Sequence, residues 1–190
     1  MKSTIKLIGI IALIAVIGFS FFACDSSGGN NGTRENILIE GDARFVENTQ
    51  RALNIIQTGS PASYVMVLRY IGILRQGQSS GMWAWLDPPV FVVGPGTSNA
   101  TSTWYASAIV HDAIHSKQYH DHLAVHGHVP DEVWTGLAAE MEALDIQIKF
   151  LIKIGAPQSE IDYAKSLFNA EWWDGPVTWS YQNLLVFYER

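Results

Sequence analysis

The apolar run Ala106-Ser107-Ala108-Ile109-Val110 leads directly into His111-Asp112-Ala113-Ile114-His115, so the fold must place two imidazoles and a carboxylate among apolar neighbours. Read as a helix, residues four apart share one face, and both imidazoles can converge on one metal ion. Histidine pairs on helices also serve as packed, hydrogen-bonded core residues, which is the alternative reading. Ser102 or Thr103 is suited to cap this helix, which is expected to run from Trp104 to about Tyr119.

A second helix is expected downstream, from a cap at Asp131 to Ile154, where Gly155-Ala156-Pro157 stops it. Trp134, Leu137, Met141, Leu144, Ile148, Leu151 and Ile152 collect on its apolar face. At about 100° per residue, Glu140 lies roughly 70° from the centre of that face and Glu142 roughly 130° away. Glu140 is the acid expected to look inward, and a carboxylate there needs a cation or hydrogen bonds to offset its desolvation. Asp145 on the opposite border is placed to pair with Lys149 one turn later.

Upstream, Phe45, Val46, Ala52, Leu53 and Ile56 space out an amphipathic helix from Ala43 to about Gln57, ended by Gly59-Ser60-Pro61. The run Tyr64 to Leu74 suits a strand or a buried helix equally. Met82 to Leu86 and Val90 to Val93 read as strands around Asp87-Pro88-Pro89, the prolines favouring an edge position, and Gly94 to Asn99 reads as a loop. A last helix is expected over about Ser159 to Ala170, followed by Glu171-Trp172-Trp173-Asp174-Gly175-Pro176 and an apolar segment from Trp179 to Tyr188. Five tryptophans lie from Trp104 onward, expected as core or pocket wall, with an aromatic groove for peptide or glycan groups as the alternative.

The first residues address export. Lys2 and Lys6 precede an uncharged apolar run from Leu7 to Phe22, the pattern of a removable signal segment. Ala23 then precedes Cys24, the only cysteine, and the polar stretch Asp25 to Gly32. This arrangement resembles the cleavage and lipid-attachment site of a bacterial lipoprotein, although Phe21 and Phe22 depart from the usual leucine. An uncleaved membrane anchor is the alternative. The expected organisation is a signal peptide over 1–23, a flexible tether over 24–34 and one folded domain over 35–190. Removing Lys2 and Lys6 takes the formal charge from −6 to −8. A chain this acidic has no basic stripe to neutralise phosphates, and nucleic acid is excluded as an expected partner.

A strand, a loop, His111-Asp112-Ala113-Ile114-His115 on a helix and Glu140-Met141-Glu142-Ala143 on a later helix together resemble the core of the glutamate-zincin metallopeptidases, over roughly residues 88 to 155. The resemblance implies an α+β, mainly helical domain with a small edge-strand sheet. It implies zinc held by His111, His115 and Glu140, with Glu142 as the alternative third ligand, and an open position for water. In that family the residue after the first histidine is a glutamate that takes a proton from the water attacking a peptide carbonyl. Here that position is Asp112, one methylene shorter, which implies a weakened base or a site that has kept its metal without its chemistry. The family's edge strand corresponds to Val90 to Val93, where an extended peptide or protein substrate would add as another strand. Tyr105, Tyr119, Tyr163 and Tyr181 are all chemically able to stabilise the oxyanion, with nothing to choose among them.

The remaining histidines, His120, His122, His126 and His128, surround Asp121 and Gly127 and read as a solvated loop, or as a tract that binds metal by composition. The rival expectation is thus a non-catalytic lipoprotein that captures zinc or another ion outside the cytoplasmic membrane. A structural or adhesive lipoprotein without metal is the third class.

Overall fold

The computed structural model describes residues 36–168 of the chain. The expected signal segment, Cys24, the tether and the aromatic segment beyond Phe168, Tyr181 included, lie outside the described residues. Among the described residues no helix is long and apolar enough to cross a membrane.

Strand β1 (Leu38–Glu40) leads into helix α1 (Ala43–Gly59) through Asp42, whose Oδ1 accepts from Phe45 N at 2.8 Å and caps the helix. Pro61 opens α2 (Pro61–Tyr70), a position where its missing N–H costs nothing. The ambiguous apolar run therefore resolves as helix and then, beyond Gly72, as strand β2 (Ile73–Gln76). Strands β3 (Gly81–Trp83) and β4 (Val90–Val93) complete a four-stranded sheet in the order β1-β2-β4-β3. Leu38 pairs with Ile73 and Ile73 with Val90 in parallel register, and Met82 pairs antiparallel with Phe91.

This order corrects the expected edge. Val90 to Val93 lies between two strands, and β3 is the antiparallel edge. The continuous apolar sequence of β4 is that of an interior strand. Pro88 and Pro89 precede the ladder, so they block no pairing, and the Pro89 carbonyl accepts from Gly72 N and Ile73 N at 2.9 and 3.1 Å.

The segment expected as a loop contains a short helix, α3 (Pro95–Ser98). Helix α4 spans Ser102–His126 and is capped by Thr101, one residue before the expected caps; Thr101 Oγ1 accepts from Trp104 N at 3.2 Å. Every residue from Trp104 to Ser116 is buried, as expected of a helix apolar on all sides. It continues seven residues beyond Tyr119, so His120, His122 and His126 stand on a helix and not in a loop. Gly127, at φ 72°, ends it in the left-handed region that glycine enters without strain.

The second expected helix is two. Helix α5 (Glu132–Thr135) stops at Gly136, and α6 (Leu137–Lys153) starts from it; Asp131 is itself helical and makes no side-chain cap. Helix α7 (Gln158–Phe168) closes the described chain, tied to α4 by Glu160, which accepts from Thr101 Oγ1 at 2.6 Å.

One core lies between the sheet and α1, α2 and α4, with Ile56, Leu74, Phe91, Tyr105 and Ile109 at its centre. A second, of Trp104, Leu144, Leu151 and Ile161, is built from α4, α6 and α7. At about 1.5–3 kcal/mol per large apolar side chain buried, these two clusters hold α4 on all sides and fix its rotation.

Candidate metal centre

Helix α4 and helix α6 pack against each other, and their facing turns bring three donor atoms together. His115 Nε2 lies 3.0 Å from His111 Nε2, and each lies 3.4 Å from Glu140 Oε2. His115 is fully buried and the other two are 9 % exposed. His111, His115 and Glu140 form a group that could hold a metal ion. Ligands at about 2.05 Å in tetrahedral geometry stand about 3.3 Å apart, and the observed triangle of 3.0 to 3.4 Å matches that spacing. Glu142 does not join it: this residue is exposed and accepts from Gln118 Nε2 at 3.0 Å. The helical phase therefore selected the inward acid.

His115 is oriented by a backbone group. Its Nδ1–H donates to the Trp134 carbonyl at 2.6 Å, which leaves the Nε2 lone pair pointing at the other two donors, as in ligating histidines that donate their second ring N–H to a carbonyl. That carbonyl is free because of Gly136. In an unbroken helix Trp134 O would accept from the amide four residues on; the break makes it one of the unpaired carbonyls at the end of α5. A Cβ at Gly136 would stand 2.3 Å from Glu132 O in the preceding turn, so the break between the helices requires glycine. The sequence carries a signal for this, an isolated glycine inside a helical pattern.

Electrostatics in the group favour a positive charge among the three side chains. Burial would lower the His115 pKa, but the charge of Glu140 and its hydrogen bond, with smaller contributions from Asp112 and the Trp134 carbonyl, overcome this and raise it to about 9. Burial would likewise raise Glu140, yet the two imidazoles hold its carboxyl far below the usual carboxylate range. Two imidazole nitrogens and a carboxylate oxygen meeting away from water need a positive charge among them, and a proton on His115 or a metal ion supplies it.

Asp112 is 6 % exposed, and its negative charge acts on His115. Below this turn, Gln147 Nε2 donates to Ser107 Oγ at 2.9 Å, and Ser107 Oγ donates to Trp104 O at 2.7 Å. This buried chain sets the register of α6 on α4 one turn before His111, a role the sequence did not reveal.

Of the tyrosines, Tyr105 OH is bonded to Thr49 Oγ1 at 2.8 Å and belongs to the packing of α1 on α4. Tyr163 packs against Trp104 with the rings tilted, centroids 5.3 Å apart. Tyr119 lies against Trp134, ring centroids 5.5 Å apart, on the residue whose carbonyl orients His115. Trp85, just past β3 and 55 % exposed, meets the same Trp134 ring edge-on at 5.8 Å. The segment after the edge strand thus reaches the residue that orients His115 through one aromatic contact. No family profile matches this chain, and neither a curated protein nor a solved structure does.

Proposed function

We propose that this chain is a zinc-dependent hydrolase of peptide bonds, exported and tethered outside the cytoplasmic membrane by lipid on Cys24. The observation that carries the reading is the donor triangle of His111, His115 and Glu140, two imidazoles and one carboxylate at tetrahedral spacing, with the His115 ring oriented by Trp134 O so that Nε2 faces the other two. A His₂Glu donor set suits zinc with one position left open, and bound zinc would supply a Lewis acid that activates water and polarises a carbonyl.

The protein's own groups would do the rest. Asp112, adjacent to His111 and buried, is the acceptor for the proton that water must lose. Its shorter side chain holds the carboxylate about an ångström farther back than a glutamate would, a displacement that can cost about a hundredfold in rate. Strand β3 offers an edge with no partner strand among the described residues. An extended peptide fits there as a fifth strand, its side chains meeting Trp83 and Trp85, which are 39 % and 55 % exposed.

The second reading, a lipoprotein that captures metal without catalysis, is favoured by aspartate at position 112. Hydrolysis of a mixed peptide library by the zinc-loaded protein separates the two. The hydrolase reading expects cleavage that chelation stops, Asp112→Asn abolishes and Asp112→Glu preserves or raises. Zinc-loaded protein that cleaves nothing, in the native form and as Asp112→Glu, would leave metal capture as the function.

A further inference from the structure

The face of α4 that carries His111 and His115 carries a second pair with the same spacing. His122 and His126 follow them by eleven residues, about three turns at roughly 100° per residue, which repeats the phase of the first pair about 16 Å farther along the axis. There the helix has left the core: His126 is exposed and His122 only partly covered. Their ring centroids are 4.2 Å apart, closer than the 4.8 Å between His111 and His115.

Gly127 then turns the chain back, and the His128 ring comes to 6.3 Å from that of His122. His128 Nδ1–H donates to the His126 carbonyl at 3.2 Å, leaving Nε2 as the free lone pair, the same device that Trp134 O provides for His115. The nearest acid in sequence, Asp121, is held by Lys117 at 2.7 Å and Tyr70 at 3.0 Å, so the donors are imidazoles alone.

We propose that His122, His126 and His128 form a second metal site, open to solvent, that binds zinc or another divalent ion favoured by imidazole, copper or nickel. The His122–His126 pair is already formed, and His128, its ring 6.3 Å from that of His122, is the third imidazole beside it. Such a site differs from the buried centre in the property that matters for exchange: its ligands are neutral and hydrated, so the ion is held more weakly and leaves more readily. Standing on the same helix face as the buried donors, it is a loading position for metal arriving from solution. The site rests on its own three residues and does not depend on what the buried centre does.

Calorimetric titration of zinc chloride into the metal-free full chain tests this. The native chain is expected to take up a tight equivalent and a second, weaker one. The double variant His122→Asn/His126→Asn, altered only where side chains already meet solvent, should lose the weaker equivalent and keep the tight one, with an unchanged circular dichroism spectrum. A weaker equivalent missing from the native chain, or undiminished in the double variant, would overturn the proposal. If the native chain showed only weak binding and the double variant lost it, the surface site would stand and the buried centre would fail.

Discussion

Glu140 decides whether two buried histidines are a packing feature or a binding site. Without its carboxylate, the His111 and His115 nitrogens would face each other with no carboxylate between them. With it, the metal-free protein has a raised His115 pKa, and the sign of the pH dependence follows. The stability this pair contributes is fully present below the unfolded histidine value near 6.5 and is lost as pH rises through about 9. Zinc requires His115 neutral, so binding at pH 7 must expel that proton, and apparent affinity should climb about tenfold per pH unit up to about 9. Calorimetry at pH 7 in buffers of different ionisation enthalpy measures the release directly; zinc binding with no proton released would show His115 uncharged in the free protein. At this scale much of the site was legible. The H-x-x-x-H spacing fixed the histidine face, and the 100° phase separated Glu140 from Glu142. The orienting carbonyl of Trp134 was not legible, because a backbone acceptor exists at a place only where secondary structure stops.

The helices hold the donors in register, and a glycine and a threonine at their ends contribute to this. Gly136 separates α5 from α6 and frees Trp134 O. Gly136→Ala forces a Cβ against Glu132 O and must shift α5, so we expect zinc affinity to fall at least tenfold, a change of about 1.4 kcal/mol, with the helical circular dichroism retained; unchanged affinity would remove the break from the account of the site. Thr101 caps α4 and bonds Glu160 of α7, and Thr101→Ala is expected to cost about 1 kcal/mol of stability, measured by urea unfolding, without altering metal stoichiometry. Element types were readable wherever a local pattern governs: the apolar face and stop of α1, the buried α4, and the Asp145–Lys149 pair, found at 2.5 Å. What failed was set by tertiary structure. Val90–Val93 is an interior strand because β3 folds back outside it, and the apparent loop after Tyr119 is helix because Lys117–Asp121 and the Tyr70–Asp121 bond hold about two further turns in place.

For the molecule as a whole, the described fold is a mainly helical α+β unit whose cores grip the site helix from every side. A pre-formed site of this kind couples metal to folding by mass action. Zinc at about a hundred times its Kd adds roughly 2.7 kcal/mol, which for a chain of this size raises Tm by roughly 5–10 °C. Differential scanning calorimetry with and without chelator should show that difference in the native protein and none at the same zinc concentration in His115→Ala. An equal rise in both would place the stabilising ion elsewhere. The export pattern lies outside the described residues; palmitate incorporation in a bacterial host, lost in Cys24→Ala, is the expected signature of the proposed lipid anchor.

The central claim is that His111, His115 and Glu140 hold one ion together. Elemental analysis of untagged protein after gel filtration, which retains only tightly held metal, tests it most directly in the native chain beside Glu140→Ala and Glu142→Ala. The account predicts about one zinc per chain in the native protein and in Glu142→Ala, and none in Glu140→Ala. Zinc retained by Glu140→Ala, or lost from Glu142→Ala, would contradict it.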